Sequence, residues 1–266
     1  MLWHEKSWPH IKRVDKNIPV MIPLGSCEQH GRHLPVFTDT LQVSAIAERV
    51  DQCLSDSVII TPTLWLGSSH HHKDYPGAIS VRPSLYSEII KDVALSVLHS
   101  GFRRLFFLNG HGGNAVPASQ ALQELVNDND LASDVYVTLG TWWRLADPSI
   151  KGCKLGMASE RIFHACEYET SLIMALRPEL VDFGQLRQGP QVIDNIWNRS
   201  EACLGNRVTV FRRHSQISAS GSTGKPSSAS KKKGSTILNL VVKETVAFLT
   251  DLATWPELPR LGPDDD

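Results

Sequence analysis

"RRLFFLNGHGGNAVPASQALQELVND" (residues 103–128) predicts a strand, a glycine-rich turn and a helix in succession. The strand ends at a glycine, and Pro117 falls in the first turn of the helical pattern that follows. The same order of elements occurs twice earlier in the chain, over residues 17–54 and 57–101. Repeated strand-to-helix units indicate a mostly parallel sheet with helices on both faces. The predicted fold is therefore a three-layer α/β/α sandwich.

The length of 266 residues allows one large α/β domain or two small ones. Residues 214–234 are rich in Ser, Gly and Lys, which is typical of a flexible linker. A helical pattern resumes directly after them, so we interpret the stretch as a long loop inside one domain. The prediction is a single domain over residues 1–256, followed by an acidic C-terminal tail at 257–266.

The composition is that of an ordinary soluble protein, with 41% hydrophobic and 21% charged residues and a net charge of -1. This charge gives no overall attraction to nucleic acid or to an anionic membrane, so a small molecule is the expected partner. No apolar run approaches the roughly 20 residues of a membrane span, and the first residues lack a signal-peptide pattern. We therefore expect a cytoplasmic protein. The five cysteines are scattered, without a CxxC pair, which argues against disulfides and against a thiolate zinc site.

Histidine and acidic residues are concentrated in the loops that follow the predicted strands, where α/β proteins bind ligands. In "GSCEQHGRHLPVFTDT" (25–40), Glu28 and His30 are two residues apart and point the same way if the loop is extended, and Asp39 follows at the start of the next helix. Mixed nitrogen and oxygen ligands suit zinc, manganese or iron. The alternative is structural: Glu28 caps a turn, His30 lies on the surface and Asp39 caps the helix.

Two later segments have a similar character. "NGHGGN" (109–114) surrounds His111 with residues that permit tight turns, although it also resembles a phosphate-binding turn without the spacing of a nucleotide motif. In "FHACEYETS" (163–171), His164 and Glu167 share one helical face, while Glu167 and Glu169 are also typical of a helix N-terminus. Neither segment decides between a ligand set and ordinary local structure.

Taken together and in order, the three segments resemble those of the creatininase (creatinine amidohydrolase) family. Members carry E-x-H-G-x-H-L-P followed by an aspartate, then N-G-H-G-G-N, then H-A-G-E-x-E-T-S. The segments 65–81, "WLGSSHHHKDYPGAISV", and 221–234, "GSTGKPSSASKKKG", are also similar to family motifs. The similarity extends over roughly residues 18–240. It implies the three-layer fold and an enzyme.

The resemblance further implies two divalent metal ions per subunit, with zinc expected first and manganese or iron as alternatives. The ligands that it implies are Glu28, His30, Asp39, His111 and Glu167, with Asp39 bridging the two ions. Creatininase itself has a glutamate in N-G-H-Y-E-N where this chain has Gly113. Glu167 is expected to supply that ligand instead, and specificity for creatinine does not follow.

The remaining site residues are assigned from the same resemblance. His164 is expected to shuttle protons, with the alternative that it only orients Glu167, and Glu169 is expected to support catalysis from behind the ligands. His72 is expected to line the substrate pocket, with His70 and His71 facing solvent. Further pocket residues and a scaffold residue complete the prediction: Trp142 and Trp143 at the pocket mouth, and His33 holding its loop.

The predicted function is hydrolysis of a carbon–nitrogen bond in a small, perhaps cyclic, amide by a hydroxide that bridges two metal ions. The alternatives are a formamide deformylase or a peptidase of the same family. A relative that binds without catalysis, or one that binds a nucleotide, is the more distant alternative. The resemblance also implies a homo-oligomer, commonly a hexamer, with a small-molecule amide as the substrate.

Overall fold

The computed structural model describes residues 1–159, 162–189 and 208–259. In these residues four strands form one parallel sheet: β1 (Val20–Leu24), β2 (Ile59–Ile60), β3 (Arg104–Asn109) and β4 (Tyr136–Thr141). Their order in the sheet is β2-β1-β3-β4. The α-helices of the same residues are α1 (Trp8–Arg13), α2 (Thr38–Leu54), α3 (Pro83–His99), α4 (Ala115–Asp128), α5 (Trp142–Leu145), α6 (Asp147–Gly152), α7 (Glu167–Leu176) and α8 (Lys231–Leu252).

Successive side chains of β1 enter two different hydrophobic clusters, because the side chains of a strand alternate between the faces of the sheet. Val20 and Ile22 pack in the cluster that includes the apolar residues of α3 and α4. Met21 packs in the cluster that includes those of α2, α7 and α8. The sheet is therefore covered by helices on both faces, and the predicted three-layer α/β/α fold is confirmed.

The predicted elements agree with those of the structure to within a few residues. The strand predicted from residue 17 begins at Val20, and Pro19 before it has no N–H to give to a ladder. The helix predicted from residue 83 begins there, at a proline in its first turn. The lysines 231–233 begin α8, and the Ser230 hydroxyl caps that helix by accepting from the Lys233 amide at 3.3 Å.

Helices α7 and α8 cross closely at Gly234. A Cβ at this position would lie 1.8 Å from the backbone oxygen of Ser171, so only glycine fits there without a shift of the backbone. This crossing fixes α7, whose first turn carries Glu167 and Glu169. The preceding loop, 214–234, is tied down as well, because the Thr223 amide donates to the backbone oxygen of His164 at 2.9 Å.

The parallel direction of the strands brings the loops after β1, β3 and β4 to one edge of the sheet. These loops carry most of the predicted site residues. The domain boundary at residue 256 stays a prediction, and residues 260–266 of the predicted acidic tail lie outside the described residues.

Candidate metal centre

His30 and Asp39 meet at the carboxyl end of β1. The Nδ1 atom of His30 lies 3.1 Å from the backbone oxygen of Glu28, and because a carbonyl only accepts, this nitrogen carries the hydrogen. In the neutral imidazole the lone pair is therefore on Nε2. This atom lies 3.0 Å from Asp39 Oδ1 and 3.8 Å from Glu169 Oε1, two groups that are themselves acceptors. The ring thus directs a ligand atom into a carboxylate pair.

His111, on the turn after β3, has the mirrored arrangement. Its Nε2 atom lies 3.2 Å from the backbone oxygen of Ser68, to which it can donate only if it carries the hydrogen. Its Nδ1 atom then presents a lone pair 3.0 Å from Asp39 Oδ2 and 3.3 Å from Glu28 Oε1. A histidine that donates one N–H to a carbonyl and directs the other nitrogen at carboxylates is typical of a metal ligand.

The buried carboxylates of this cluster need positive charge. Burial opposes protonation of His30, yet Asp39 and the neighbouring glutamates raise its pKa to about 10. Burial also opposes it in His111, yet Glu28 and Asp39 hold the pKa of that ring well above its ordinary value. Burial raises the pKa of Glu169 to about 8, and the charge of Asp39 adds to this effect. Divalent cations would supply the missing charge.

One carboxylate oxygen of the cluster lacks a partner in the described part of the chain. The Oε2 atom of Glu28 is buried and has no hydrogen-bond partner among the described residues. A buried charged oxygen without a partner is costly, so this atom is expected to bind a cation. The residues of the cluster therefore fit the divalent metals that the sequence implies.

Glu167 and Glu169 differ from their predicted places. Glu167 is fully buried away from the cluster, where its Oε2 accepts from the Ser159 amide at 2.6 Å and its Oε1 pairs with the Lys233 ammonium. Glu169 instead shares a candidate metal-binding group with His30 and Asp39. The reason is helical geometry: residues two apart on α7 are rotated by about 200°, so they leave the helix in different directions. The structure thus brings Glu169, and not Glu167, to the predicted ligand position.

Gln29 links two other histidines of the site. Its side-chain oxygen accepts from the Gly31 amide at 2.8 Å, so its NH₂ group donates to His72 Nδ1 at 2.9 Å. The backbone oxygen of the same residue lies 2.6 Å from His164 Nε2, and because a carbonyl only accepts, this nitrogen is the donor. The Nδ1 lone pair of His164 then faces Glu28 Oε1 at 3.6 Å.

A cavity of about 350 Å³ opens above the cluster. His72 and Trp143 line it, together with Phe163, Ile217 and Arg144. Trp142 does not line it: this side chain is fully buried in the core between the sheet and α8, and its ring contacts that of Trp143 edge-on. Because the two tryptophans are consecutive, only one of them faces the cavity.

Two histidines of the cavity were not predicted there: His71 was assigned to solvent, and His214 was missed. His71 was expected to face solvent, but it is half-buried and stacks on His111 with ring centroids 5.6 Å apart. His214 stacks on His72 at 4.5 Å, although its segment has the composition of a linker. The histidine triplet was a signal for His71, whereas no local signal identified His214. His33 bonds the Thr170 hydroxyl through Nε2 at 2.8 Å, in agreement with its predicted scaffold role.

The sequence matches the creatininase family, described as creatinine amidohydrolase, over residues 4–249. The chain belongs to the creatininase family. It is similar to the creatinine amidohydrolase of Pseudomonas putida, with 25% identity over 84% of this chain and 85% of that protein. It is also similar to the mycofactocin precursor peptide peptidase of Mycobacterium ulcerans (strain Agy99), with 28% identity over 90% of this chain and 87% of the relative.

Solved creatininase structures share the fold. A manganese form of creatininase superposes with a TM-score of 0.79 at 22% identity, covering 96% of this chain and 99% of the other. A mutant of the zinc type superposes with a TM-score of 0.77 at the same identity. These likenesses extend over nearly the whole creatininase fold.

Membership in the creatininase family confirms the predicted metal-dependent amidohydrolase. The described residues contain three groups that could hold a metal ion, and all of them lie in the cluster above. Among the described residues, none of the helices combines the length and the apolar character that a membrane span requires.

Proposed function

We propose that this member of the creatininase family binds two divalent cations and uses them to hydrolyse the carbon–nitrogen bond of a small amide. One ion would bind to His30 and Glu169, the other to Glu28 and His111, with Asp39 shared between them. The observation that carries the proposal is the position of the Asp39 carboxylate. Its two oxygens each lie 3.0 Å from a different histidine, Oδ1 from His30 and Oδ2 from His111.

The proposed ions are zinc or manganese. Imidazole and carboxylate ligands together suit zinc, manganese and iron better than calcium or magnesium, which favour oxygen ligands alone. The solved creatininases with manganese and with zinc support this choice.

Divalent cations at this site would lower the pKa of a water molecule and polarise the carbonyl of the amide. His164 is the residue proposed to carry a proton to the leaving nitrogen. Its Nε2 atom is held by the backbone oxygen of Gln29 at 2.6 Å, so Nδ1 is the atom that takes up and releases the proton. The aromatic rings of Trp143 and Phe163 line the cavity and would keep bulk water from the substrate.

A cavity of about 350 Å³ suits a small molecule, and an amide of the size of creatinine fits within it. A short peptide is the second candidate substrate. It is favoured by the similarity to the mycofactocin precursor peptide peptidase, which covers 90% of this chain at 28% identity.

The test begins with metal-free protein that is reloaded with zinc or manganese and assayed on creatinine, other cyclic amides, formamides and short peptides. Metal content is measured in parallel by plasma emission spectroscopy. We expect two ions per chain and turnover of one substrate class, both of which Asp39→Ala should abolish. An Asp39→Ala protein that keeps two ions and full activity would overturn the proposal.

We also propose that the chain forms a homo-oligomer. Among the described residues, Trp8 and Val116 are 77% exposed and Phe211 is 92% exposed, and burial between subunits would remove these apolar side chains from water. Sedimentation equilibrium measures the state directly, and a monomer at micromolar concentration would contradict the proposal.

A further inference from the structure

His71 lies beside the ion position that Glu28 and His111 are proposed to form. Its ring is nearly parallel to that of His111, with an interplanar angle of 13°. One ligand atom from each of Glu28, His71 and His111 lies within 4.8 Å of the others, which is close enough for all three to bind one ion. His71 also lines the cavity, so an ion at this position would remain accessible to substrate.

The turn at residues 70–72 holds His71 firmly. The Ser68 amide donates to the Asn114 side chain at 2.9 Å, and the Ser69 amide donates to the Ser80 hydroxyl at 2.7 Å. The backbone oxygen of Ser68 in turn accepts from His111 Nε2. The segment that presents His71 is thus bonded to the loop that presents His111, and the two imidazoles are held in register.

Position 113 of the "NGHGGN" loop has no room for a side chain at this place. A Cβ at Gly113 would lie 2.2 Å from the backbone oxygen of Ser68 and 2.5 Å from His111 Nε2. It would also lie 2.7 Å from His71 Cε1, so the imidazole of His71 adjoins the space that a larger residue at 113 would require. Glycine at 113 and histidine at 71 are therefore complementary.

The neighbouring histidines are committed to other contacts. His70 Nδ1 bonds the Ser80 hydroxyl at 2.8 Å. His72 Nδ1 accepts from the NH₂ group of Gln29, so its Nε2 carries the hydrogen and donates toward Glu28 instead of offering a lone pair. Of the triplet, only His71 belongs to a group of described residues whose ligand atoms are close enough to hold one metal ion.

We propose that His71 is a sixth metal ligand, which completes the ion position of Glu28 and His111. The inference rests on the proposed two-metal function and adds a ligand that the resemblance does not supply. Without His71 that position has Glu28, His111 and the shared Asp39, and with it the ion gains a second imidazole. A second imidazole favours zinc, which is commonly bound by nitrogen ligands.

The test compares His71→Ala with the control His70→Ala, using chelator competition for metal affinity and the visible spectrum of the Co²⁺-loaded protein. We expect His71→Ala to bind one of its two ions at least about 10-fold more weakly, because the loss of a ligand costs no less than the loss of the residues that orient ligands. The Co²⁺ spectrum should change in His71→Ala and stay unchanged in His70→Ala.

Two further variants distinguish the loss of a metal ligand from a loss of local structure. His71→Phe keeps the stacked ring and removes the nitrogens, so it should weaken the same ion, whereas His71→Glu supplies a new donor and should retain both ions. If His71→Ala and His71→Phe bind both ions as the parent does, with the parent Co²⁺ spectrum, the inference is overturned. If Asp39→Ala also keeps both ions, the proposed two-metal function itself is wrong.

Discussion

Glu167 and Glu169 are two residues apart on α7, and their different surroundings provide a paired test of the ligand assignment. Glu169→Gln should reduce the metal content by one ion per chain and lower turnover by about 100-fold or more, because it removes a charged oxygen beside His30. Glu167→Gln should keep both ions, since its partners are Lys233 and the Ser159 amide.

For the stability of the protein, we expect Glu167→Gln to be the more damaging of the two substitutions. Glu167 is fully buried and pairs with Lys233, so Glu167→Gln leaves an ammonium without its partner and should cost about 3 kcal/mol in the free energy of unfolding. Urea denaturation of both variants in the presence of excess metal measures this difference. Loss of an ion in Glu167→Gln with unchanged stability would support Glu167 as the ligand instead.

His164 provides the next test at the level of one residue. If it moves protons, His164→Ala should keep two ions per chain and lose about 10²- to 10⁴-fold in turnover. The Thr223 amide bonds the backbone of residue 164, and this contact does not depend on the side chain, so the loop should keep its place. Loss of an ion together with activity would show that His164 acts as a ligand beside Glu28 and His30, a group that its position also permits.

The choice between Glu167 and Glu169 also marks the limit of prediction from sequence for the site. Glu28, His30, Asp39 and His111 were predicted as ligands through the family resemblance, because their own loops left ordinary local structure as an alternative. The choice between the two glutamates depends on the rotation of α7 about its axis. That rotation is set by the packing of α7 against α8, which no local pattern contains.

At the level of secondary-structure elements, the crossing of α7 and α8 depends on Gly234. Gly234→Ala should destabilise the protein by about 2 kcal/mol or more, because a Cβ would meet the Ser171 backbone and the helices would have to separate. Gly152→Ala is the matched control, since a Cβ there meets nothing within 4 Å, and it should change stability by less than about 0.5 kcal/mol. Thermal unfolding of both variants measures the difference, and equal effects would contradict the packing argument.

The elements themselves were predicted well where the hydrophobic period was strong, as in α3 and β3. The segment 214–234 was harder, because its Ser- and Gly-rich composition predicts only a loop. Its position is fixed by tertiary contacts, such as the donation from the Thr223 amide to the His164 backbone at 2.9 Å and the stacking of His214 on His72. Contacts of this kind join residues far apart in the chain and leave no periodic signal.

At the level of the whole molecule, the site joins residues that lie far apart in the chain. Glu28 and Asp39 come from the β1 loop, His111 follows β3, and Glu169 belongs to α7. Three buried carboxylates in one cluster repel each other in the absence of cations, and this repulsion opposes the closure of all three segments. Metal binding and folding should therefore be coupled.

The prediction that follows concerns global stability. Metal-free protein should unfold at a lower temperature than the loaded protein, and free zinc or manganese at about 100 times its dissociation constant should add about 2.7 kcal/mol per ion to the free energy of unfolding. Differential scanning calorimetry across a series of metal concentrations measures this dependence.

Asp39→Ala is the control: it removes the carboxylate shared by both positions, so its unfolding temperature should not respond to metal. If the parent gains no stability from metal, the cluster is held by protonated histidines alone, and the coupling between site and fold is wrong.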